Sequence, residues 1–289
     1  MKIVTDSGTD LYLTAEESAE LNIHIVPLVV TLEGKTYREG VDIQTDEFYR
    51  LLSATESLPH TSQPSAGDFV ELYRKLAEED KEILSIHISS GLSGTVNSAN
   101  LAASQVSEAE VTVIDTKTLS AAAGWQVEAA AKGAKKGLSK EKILPILETI
   151  KTVSDSLYTL NDLKYLIHGG RISHMKGLIA SILNIKPMIG VEKERGTYVQ
   201  LGQARSLRAA IRGLVDIIEK RCPIGSELRA QVLHASNPEG AQYLREELSQ
   251  RFECHWLPTG NISLVLGAHT GPSMVGVAYA PLAAYPQLS

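Results

Sequence analysis

Short apolar runs alternate with amphipathic segments along the first half of the chain. The opening run "KIVTD" is typical of a strand, and Thr14 with Glu17 three residues later predicts a capping box for a helix that ends near Leu21. The run "IHIVPLVVTL" at 23–32 is apolar on both faces, which indicates a second strand inside a covered sheet. The chain therefore opens as a β-α-β unit.

The same alternation continues after residue 60. Ser65 as N-cap and Asp68 at the third helical position predict a helix whose apolar face repeats at helical spacing. Apolar runs at 82–88 and 111–115 predict strands, and an alanine-rich helix follows, ending near Gly137. This pattern predicts a doubly wound α/β domain over residues 1–155.

The second half has a mixed order of elements. We expect short helices near 161–167 and 177–184, and two strands within 186–205 joined as a hairpin at Arg195-Gly196. Helices are predicted at 206–221 and 238–252, and strands at 229–236, 263–268 and 275–280. With 289 residues, the length also favours two domains. The second is predicted to be a mixed α+β domain over residues 156–289.

Composition excludes several functional classes. A net charge of -6 and a pI near 5.8 give no basis for binding nucleic acid, which requires a concentrated positive face. Cys222 and Cys254 lack the spacing of a metal site, and "MKIVTDSGTDL" carries no apolar signal segment. We expect a cytoplasmic protein with reduced thiols, no bound metal and no cofactor.

The last 36 residues, 254–289, contain no Asp, Glu, Lys or Arg. A membrane span is one interpretation, but prolines, glycines and polar residues interrupt every apolar run before it reaches the roughly 20 residues that a spanning helix needs. Buried strands beside a binding cavity are the favoured interpretation.

The segment "SIHISSGLSGTVNSAN" raises Ser93 on a turn between an apolar run and a predicted helix. A nucleophile elbow requires G-x-S-x-G, and Thr95 stands where the last glycine should be. Alternatively, free N–H groups at the helix start near Ser93 and Gly94 bind an anion, or Ser93 only caps the helix. The loop also lacks both nucleotide-binding glycine patterns.

Three further segments offer hydrogen-bond donors. Thr61 and Ser62 in "HTSQPSAGDF" are candidates for the same anion, although Ser65 could merely cap its helix. Arg171 after Gly169-Gly170 presents a planar guanidinium suited to a carboxylate or phosphate, or forms a surface ion pair. His269 binds a ligand or is a satisfied core residue. Together these segments offer donors for an anion and few groups for acid–base catalysis.

Seven ordered motifs carry a resemblance over the whole chain: "VTDSGTDL", "TSQPSAGDF", "SSGLSGTVNSA", "VIDTKTLSAAAG", "YTLNDLKYLIHGGRIS", "LNIKPMIGV" and "AHTGPSMVGVAY". By these motifs the chain resembles the DegV family of fatty-acid-binding proteins, the FakB-type subunits of bacterial fatty acid kinase systems. The resemblance implies a two-domain fold that buries a long-chain fatty acid in an apolar tunnel. It also implies a non-catalytic carrier that serves phospholipid synthesis.

Matching motif to motif, the resemblance implies that Thr61 and Ser93 hold the carboxylate, with His269 close by. Ser62, Gly94 and Arg171 would be near neighbours, and the strands after Cys254 and the segment "GLIASILNI" would enclose the acyl chain. Departures from the family pattern bear on chain-length preference rather than on the carboxylate site; they are Thr116, Ala121, Ala122, Ala123, Ser273 and Met274.

The implied partners are a long-chain fatty acid, a separate fatty acid kinase that forms the acyl-phosphate, and a transient membrane surface. Arg205, Arg208 and Arg212 recur on one helix face and could meet an acidic partner or anionic lipid, or could form a solvated face. A serine hydrolase acting on acyl esters through Ser93, and a regulatory protein with structural lipid, are the alternative functions.

Overall fold

The computed structural model describes residues 1–172 and 185–286. The strands are β1 Lys2–Asp6, β2 Ile23–Val26, β3 Val29–Leu32, β4 Lys35–Arg38, β5 His60–Ser62, β6 Glu82–His87, β7 Glu110–Asp115, β8 Asp155–Thr159, β9 Lys186–Val191, β10 Tyr198–Ala204, β11 Glu227–His234, β12 Glu253–Trp256, β13 Gly260–Asn261 and β14 Val275–Pro281. The helices are α1 Ala15–Glu20, α2 Thr45–Ala54, α3 Ala66–Ala77, α4 Thr95–Ala103, α5 Ser120–Lys135, α6 Lys140–Val153, α7 Lys164–His168, α8 Leu207–Glu219, α9 Pro238–Ser249 and α10 Leu264–Thr270. The helix predicted at 177–184 lies outside the described residues.

The first sheet is parallel, with strand order β2-β1-β6-β7. Helices α3 and α4 pack on each other, and their apolar residues form one core with Val4 and Ile83 of the sheet. Helix α5 contacts β1 and β6 and belongs to a separate, larger core. The sheet thus carries helices on both faces, and the predicted α/β class of this half is confirmed.

Residues 23–32 do not form one strand, so that prediction was wrong. Strand β2 pairs in parallel with β1, whereas β3 joins an antiparallel three-stranded sheet of order β4-β3-β5. Pro27 stands between the two strands, and proline cannot donate to a sheet ladder. The change of sheet at Pro27 allows β5, which carries Thr61 and Ser62, to pair with β3.

The second sheet has the order β10-β9-β8-β14-β11-β12, and β13 adds to β11. Its first strand in the chain, β8, begins at Asp155, so this sheet is built from the C-terminal half. The predicted hairpin is present, because β9 and β10 pair antiparallel. The two-domain α/β architecture is therefore observed, and the division into 1–155 and 156–289 remains our proposal.

The strand predicted at 263–268 is wrong, because these residues form helix α10. A short continuous apolar run fits a buried strand and a buried helix equally well. Ser263 accepts a bond from the Leu266 N–H as N-cap, while Asp10 and Glu39 accept bonds from the backbone N–H groups of Ser263 and Leu264 at 2.7 and 2.5 Å. Two carboxyl groups from the N-terminal half thus fix the start of this C-terminal helix.

Two further structural findings bear on the predicted properties. Cys222 and Cys254 are both free cysteines. Within residues 1–172 and 185–286, no helix is long and apolar enough to cross a membrane.

Candidate functional site

The predicted donor residues meet at one pocket between the two halves of the chain. Strand β5 supplies Thr61 and Ser62, the loop before α4 supplies Ser93, and the turn after α7 supplies Arg171. His269 enters from the last turn of α10. The pocket is lined by Leu28, Thr61, Ser62, Gln63, Ile88, Leu92, Ser93, Leu119, Arg171, Tyr198, Val265, Leu266 and His269. Five of the six predicted site residues therefore line one pocket, and the sixth, Gly94, adjoins it.

The His269 imidazole is buried and joined to the other half of the molecule by one hydrogen bond. Its Nε2 lies 2.8 Å from Thr61 Oγ1, and its Nδ1 has no hydrogen-bond partner among the described residues. Burial, together with the charges of Arg171 and His168, lowers the pKa of His269 to about 3. The ring is therefore neutral at physiological pH. The predicted strands would have placed His269 between them, whereas the structure places it in helix α10.

Gly169 closes the other side of the histidine ring. A Cβ atom on this residue would lie 2.0 Å from His269 Nδ1, which is far inside van der Waals contact. The absence of a side chain therefore lets the chain after α7 pass directly over the imidazole. The two glycines of "HGGRIS" thus have different structural roles. Gly169 leaves room for the imidazole, and Gly170 adopts a φ of +72 at the turn, a conformation that favours glycine.

Ser93 lies just before α4 and has no histidine partner in the described structure. Its hydroxyl lies 2.8 Å from Thr95 Oγ1 and accepts a 3.3 Å bond from the Thr95 N–H. The N-cap residue is Gly94, which has no side chain, so the hydroxyl of Ser93, one position earlier, takes the first N–H of α4. Ser93 thus bonds the start of α4 and also lines the pocket, which is consistent with both the capping and the anion-binding interpretations of this loop.

Arg171 fixes the pocket wall through backbone carbonyls rather than through an ion pair. Its Nε donates to the Leu92 carbonyl at 3.2 Å, and its Nη1 donates to the Gly169 carbonyl at 2.7 Å. These bonds tie the turn after α7 to the Ser93 loop. Two of the five guanidinium donors are used in this way, and the positive charge stays beside His269.

Gln63 is a pocket residue that the sequence analysis did not select. A Cβ atom on Gly94 would lie 2.5 Å from Gln63 Nε2, so the side chain of Gln63 packs directly over Gly94. Gln63 directly follows Thr61 and Ser62 in the "TSQPS" motif. Its polar side chain in that motif is the sequence signal for its place in the pocket. Tyr198, in strand β10 of the hairpin, also lines the pocket, but no sequence motif indicated it.

An apolar chamber adjoins the polar pocket. Leu119, Tyr198 and Leu266 line both spaces, and the empty volume of each is about 420 Å³, open solvent included. The chamber is lined by Leu119, Ser120, Ser156, Leu157, Tyr158, Tyr198, Leu233, Leu266, Thr270, Met274, Gly276, Val277 and Ala278. Met274, one of the departures from the family pattern, is therefore a wall of this chamber. Residues 177–184 of the segment "GLIASILNI", part of the predicted tunnel, lie outside the described residues.

The surface side of the pocket contrasts with its interior. Ser62 and Gln63 are exposed, whereas His269 is buried. From the surface inward, the site therefore changes from exposed polar groups to the buried imidazole of His269 and then to the apolar side chains of the chamber. This arrangement suits an amphipathic anion with a long tail. No cluster of three or more metal-ligating side chains occurs among the described residues.

A serine–histidine–aspartate relay does occur elsewhere in the protein. Ser85 Oγ lies 2.7 Å from His87 Nε2, His87 Nδ1 lies 3.0 Å from Asp6 Oδ2, and Tyr73 OH lies 2.6 Å from Ser85 Oγ. The spacing resembles a catalytic triad, but Ser85, His87 and Asp6 are fully buried. None of the three lines the pocket or the chamber. This relay satisfies polar groups in the core.

Fold and site together define a two-domain α/β protein with a polar pocket beside an apolar chamber. The model of the family described as "Uncharacterised protein, DegV family" matches residues 1–282, and the chain belongs to the DegV family. A DegV domain-containing protein of Staphylococcus aureus is 36% identical over 278 residues, covering 95% of this chain and 96% of that protein. One from Listeria innocua is 32% identical, covering 96% and 97%.

Solved structures agree with this assignment. The DegV family protein of Thermus thermophilus, described by its fatty acid binding, superposes with a TM-score of 0.87 at 31% identity, covering 97% of this chain and 99% of that one. DegV of Bacillus subtilis, described as a fatty acid binding protein, gives a TM-score of 0.86 at 32% identity, covering 96% and 98%. The recognition of the family from sequence motifs is thus confirmed.

Proposed function

We propose that this protein binds a long-chain fatty acid and presents its carboxylate to a separate fatty acid kinase, which phosphorylates it to an acyl-phosphate. The observation that carries the proposal is that the polar pocket lies directly beside the apolar chamber, with Leu119, Tyr198 and Leu266 lining both. The fatty acid binding described for the Thermus thermophilus and Bacillus subtilis relatives supports the same ligand class.

The energetics favour an acyl chain as the ligand. Burial of each CH₂ group contributes about 0.8 kcal/mol, so a sixteen-carbon chain contributes on the order of 10 kcal/mol. Removing a carboxylate from water is costly unless hydrogen bonds replace the lost hydration. The hydroxyls of Thr61 and Ser93 and the Arg171 charge line the pocket and are positioned to supply that replacement.

A carrier function also requires that the carboxylate be within reach of a second protein. Ser62 and Gln63 lie at the pocket and are exposed, so a carboxylate held between Thr61 and Ser93 would lie close to the surface. The neutral His269 accepts or donates a hydrogen bond but carries no charge that would compete with the kinase for the carboxylate. Loading would involve transient contact with a membrane surface.

Lipid extraction and mass spectrometry of the purified protein test the binding proposal. We expect a long-chain fatty acid in the extract, or uptake of palmitate or oleate by delipidated protein. Lipid-free preparations that take up neither acid would contradict it. A fluorophosphonate probe should leave Ser93 unmodified, because this serine has no histidine partner in the described structure; a covalent adduct there would revive the hydrolase function.

The kinase step has its own test. Protein loaded with palmitate is incubated with a bacterial fatty acid kinase and labelled ATP, and the acyl-phosphate is trapped as a hydroxamate. Product that depends on the loaded protein supports the carrier function. Loaded protein that yields no product with a kinase active on its own partner would favour a regulatory function with structural lipid.

A further inference from the structure

Three side chains form the boundary between the polar pocket and the apolar chamber. Leu119, Tyr198 and Leu266 line both spaces, whereas every other described wall residue lines only one of them. All three are buried, with exposed fractions of 7%, 4% and 6%. An acyl chain that runs from the pocket into the chamber therefore passes these three side chains, which we call the neck.

Leu119 reaches the neck from a restricted stretch of backbone. Leu119 itself is extended, with φ -151 and ψ 177. Lys117 and Ser120, on either side of it, have φ +55 and φ +56, in the left-handed region that residues with a side chain disfavour. Such residues stay in this region only where surrounding contacts hold them. The path of the backbone through Leu119 is therefore imposed by the fold.

Two hydrogen bonds hold this stretch next to Leu119. Immediately before it, the Thr118 carbonyl accepts a bond from the Ser89 N–H at 2.7 Å. Immediately after it, Ser120 Oγ donates to Asp10 Oδ2 at 2.5 Å. Because the backbone is fixed on both sides, the Leu119 side chain moves aside for a ligand only by changing its rotamer, and its burial restricts that movement.

The other two neck residues are also held by their neighbours. The Tyr198 ring packs edge to face on Tyr158, with centroids 5.5 Å apart. Leu266 lies inside α10, and its N–H donates to the N-cap hydroxyl of Ser263. Leu119 comes from the N-terminal half, whereas Tyr198 and Leu266 come from the C-terminal half, so the neck lies where the two halves meet. Closely packed side chains of this kind tolerate an added methyl group poorly.

We propose that Leu119 is a specificity-determining residue that excludes an acyl chain carrying a methyl branch at the neck. The inference rests on the proposed fatty acid binding and narrows its substrate class to acids that are unbranched where they cross the neck. A straight chain presents only CH₂ groups to Leu119, whereas a branch adds a methyl group that must displace one of the fixed side chains. One added carbon of this kind changes binding about tenfold or more.

Competition binding with palmitate and with palmitates that carry one methyl group at about carbon 2, 4, 6, 8 or 14 tests the inference. For each branched acid we take the ratio of the palmitate Kd to the Kd of that acid. In the native protein the ratio should be about one-tenth or lower at one branch position or more. In Leu119→Ala, which removes the branched end of the side chain, the ratio at that position should rise about tenfold.

Leu233→Ala is the matched control, because Leu233 is also buried but lines only the chamber. This variant loses the same atoms, and its ratios should equal those of the native protein. Leu119→Met keeps the side-chain volume almost unchanged and removes the branch at Cγ. It should raise the same ratio by a smaller factor, and it tests the inference if Leu119→Ala is too unstable for binding measurements.

The outcomes separate the two proposals. If palmitate binds and the native protein accepts every branched acid equally well, the inference is overturned while fatty acid binding stands. The same holds if both Leu119 variants leave every ratio unchanged. A ratio that rises equally in Leu119→Ala and Leu233→Ala overturns it in favour of a general enlargement of the chamber. If no acid binds to any of the proteins, the proposed function and this inference both fail.

Discussion

Thr61 and His269 are 208 positions apart in the chain, and their side chains share a 2.8 Å hydrogen bond. The bond joins the edge strand β5 to the last turn of α10, so it forms only when the two halves of the molecule are docked. Both residues line the polar pocket. The carboxylate site therefore depends on the docking of the two halves as well as on its own side chains.

Removing the pocket hydroxyls should weaken fatty acid binding without unfolding the protein. In Thr61→Val combined with Ser93→Ala, the carboxylate loses two donors, and each hydrogen bond to a charged group contributes about 1.5–3 kcal/mol. We expect the Kd for palmitate, measured by isothermal titration calorimetry, to rise at least about tenfold.

Ser65→Ala is the matched control for that double variant. Ser65 lies in the same motif but caps α3 through the Asp68 N–H at 3.1 Å. Its loss should lower the free energy of unfolding by about 1 kcal/mol and leave palmitate affinity unchanged. An unchanged Kd in the double variant would show that the carboxylate lies elsewhere.

Gly169→Ala should displace His269. Gly169 has φ -71, which alanine adopts freely, so the cost comes only from the new methyl group near Nδ1. Overpacking of this kind costs about 1–3 kcal/mol, and movement of the ring breaks its bond to Thr61. Both the melting temperature and palmitate affinity should fall.

Gly67→Ala provides the comparison for Gly169→Ala. Gly67 lies in α3, and the nearest heavy atom to its added Cβ is Ser65 Oγ at 3.5 Å, an ordinary contact. This variant should be as stable as the native protein or more stable by about 0.5–1 kcal/mol. Equal behaviour of the two variants would refute the close packing of Gly169 on the imidazole.

Stability should decrease as pH rises from about 5 to 8. Burial raises the pKa of Asp10 to about 7 and that of Glu39 to about 8. Over this range the native protein retains protons that the unfolded chain has released, so rising pH favours the unfolded state by about 1 kcal/mol per pH unit for each group. Chemical denaturation at a series of pH values measures the slope.

Two variants identify the source of that slope. Asp10→Asn and Glu39→Gln replace each carboxyl with a neutral group of similar shape, and each should reduce the pH dependence. Asp42→Asn should leave it unchanged, because Asp42 is exposed and its bonds to Arg38 lower its pKa to about 2, below the measured range. A slope that survives in the Asp10→Asn, Glu39→Gln double variant would assign the effect to other groups.

His269 should remain neutral between pH 5 and 8, since its pKa is lowered to about 3. The depressed value means that protonation disfavours the native state, and the loss of stability from this residue begins only as pH falls below the ordinary histidine range near 6.5. The ¹⁵N chemical shifts of its ring report the neutral form directly. Titration of this ring near pH 6 would contradict the burial described for it.

The sequence alone determined the family and those local elements that depend on residues close together in the chain. Capping boxes at Thr14 and Ser65 form as predicted, because they depend on residues three positions apart. The parallel strands and alternating helices of the first half followed from hydrophobic period, and the ordered motifs identified the DegV family and the donor residues that line the pocket.

Tertiary structure decided what depends on distant contacts. The apolar run after Ser263 became a helix because Asp10 and Glu39, more than 220 positions away, receive its first N–H groups. The pairing of Thr61 with His269 likewise follows from how the two halves pack. Such features have no local sequence signal, since their energies come from burial and from partners that only the folded chain brings together.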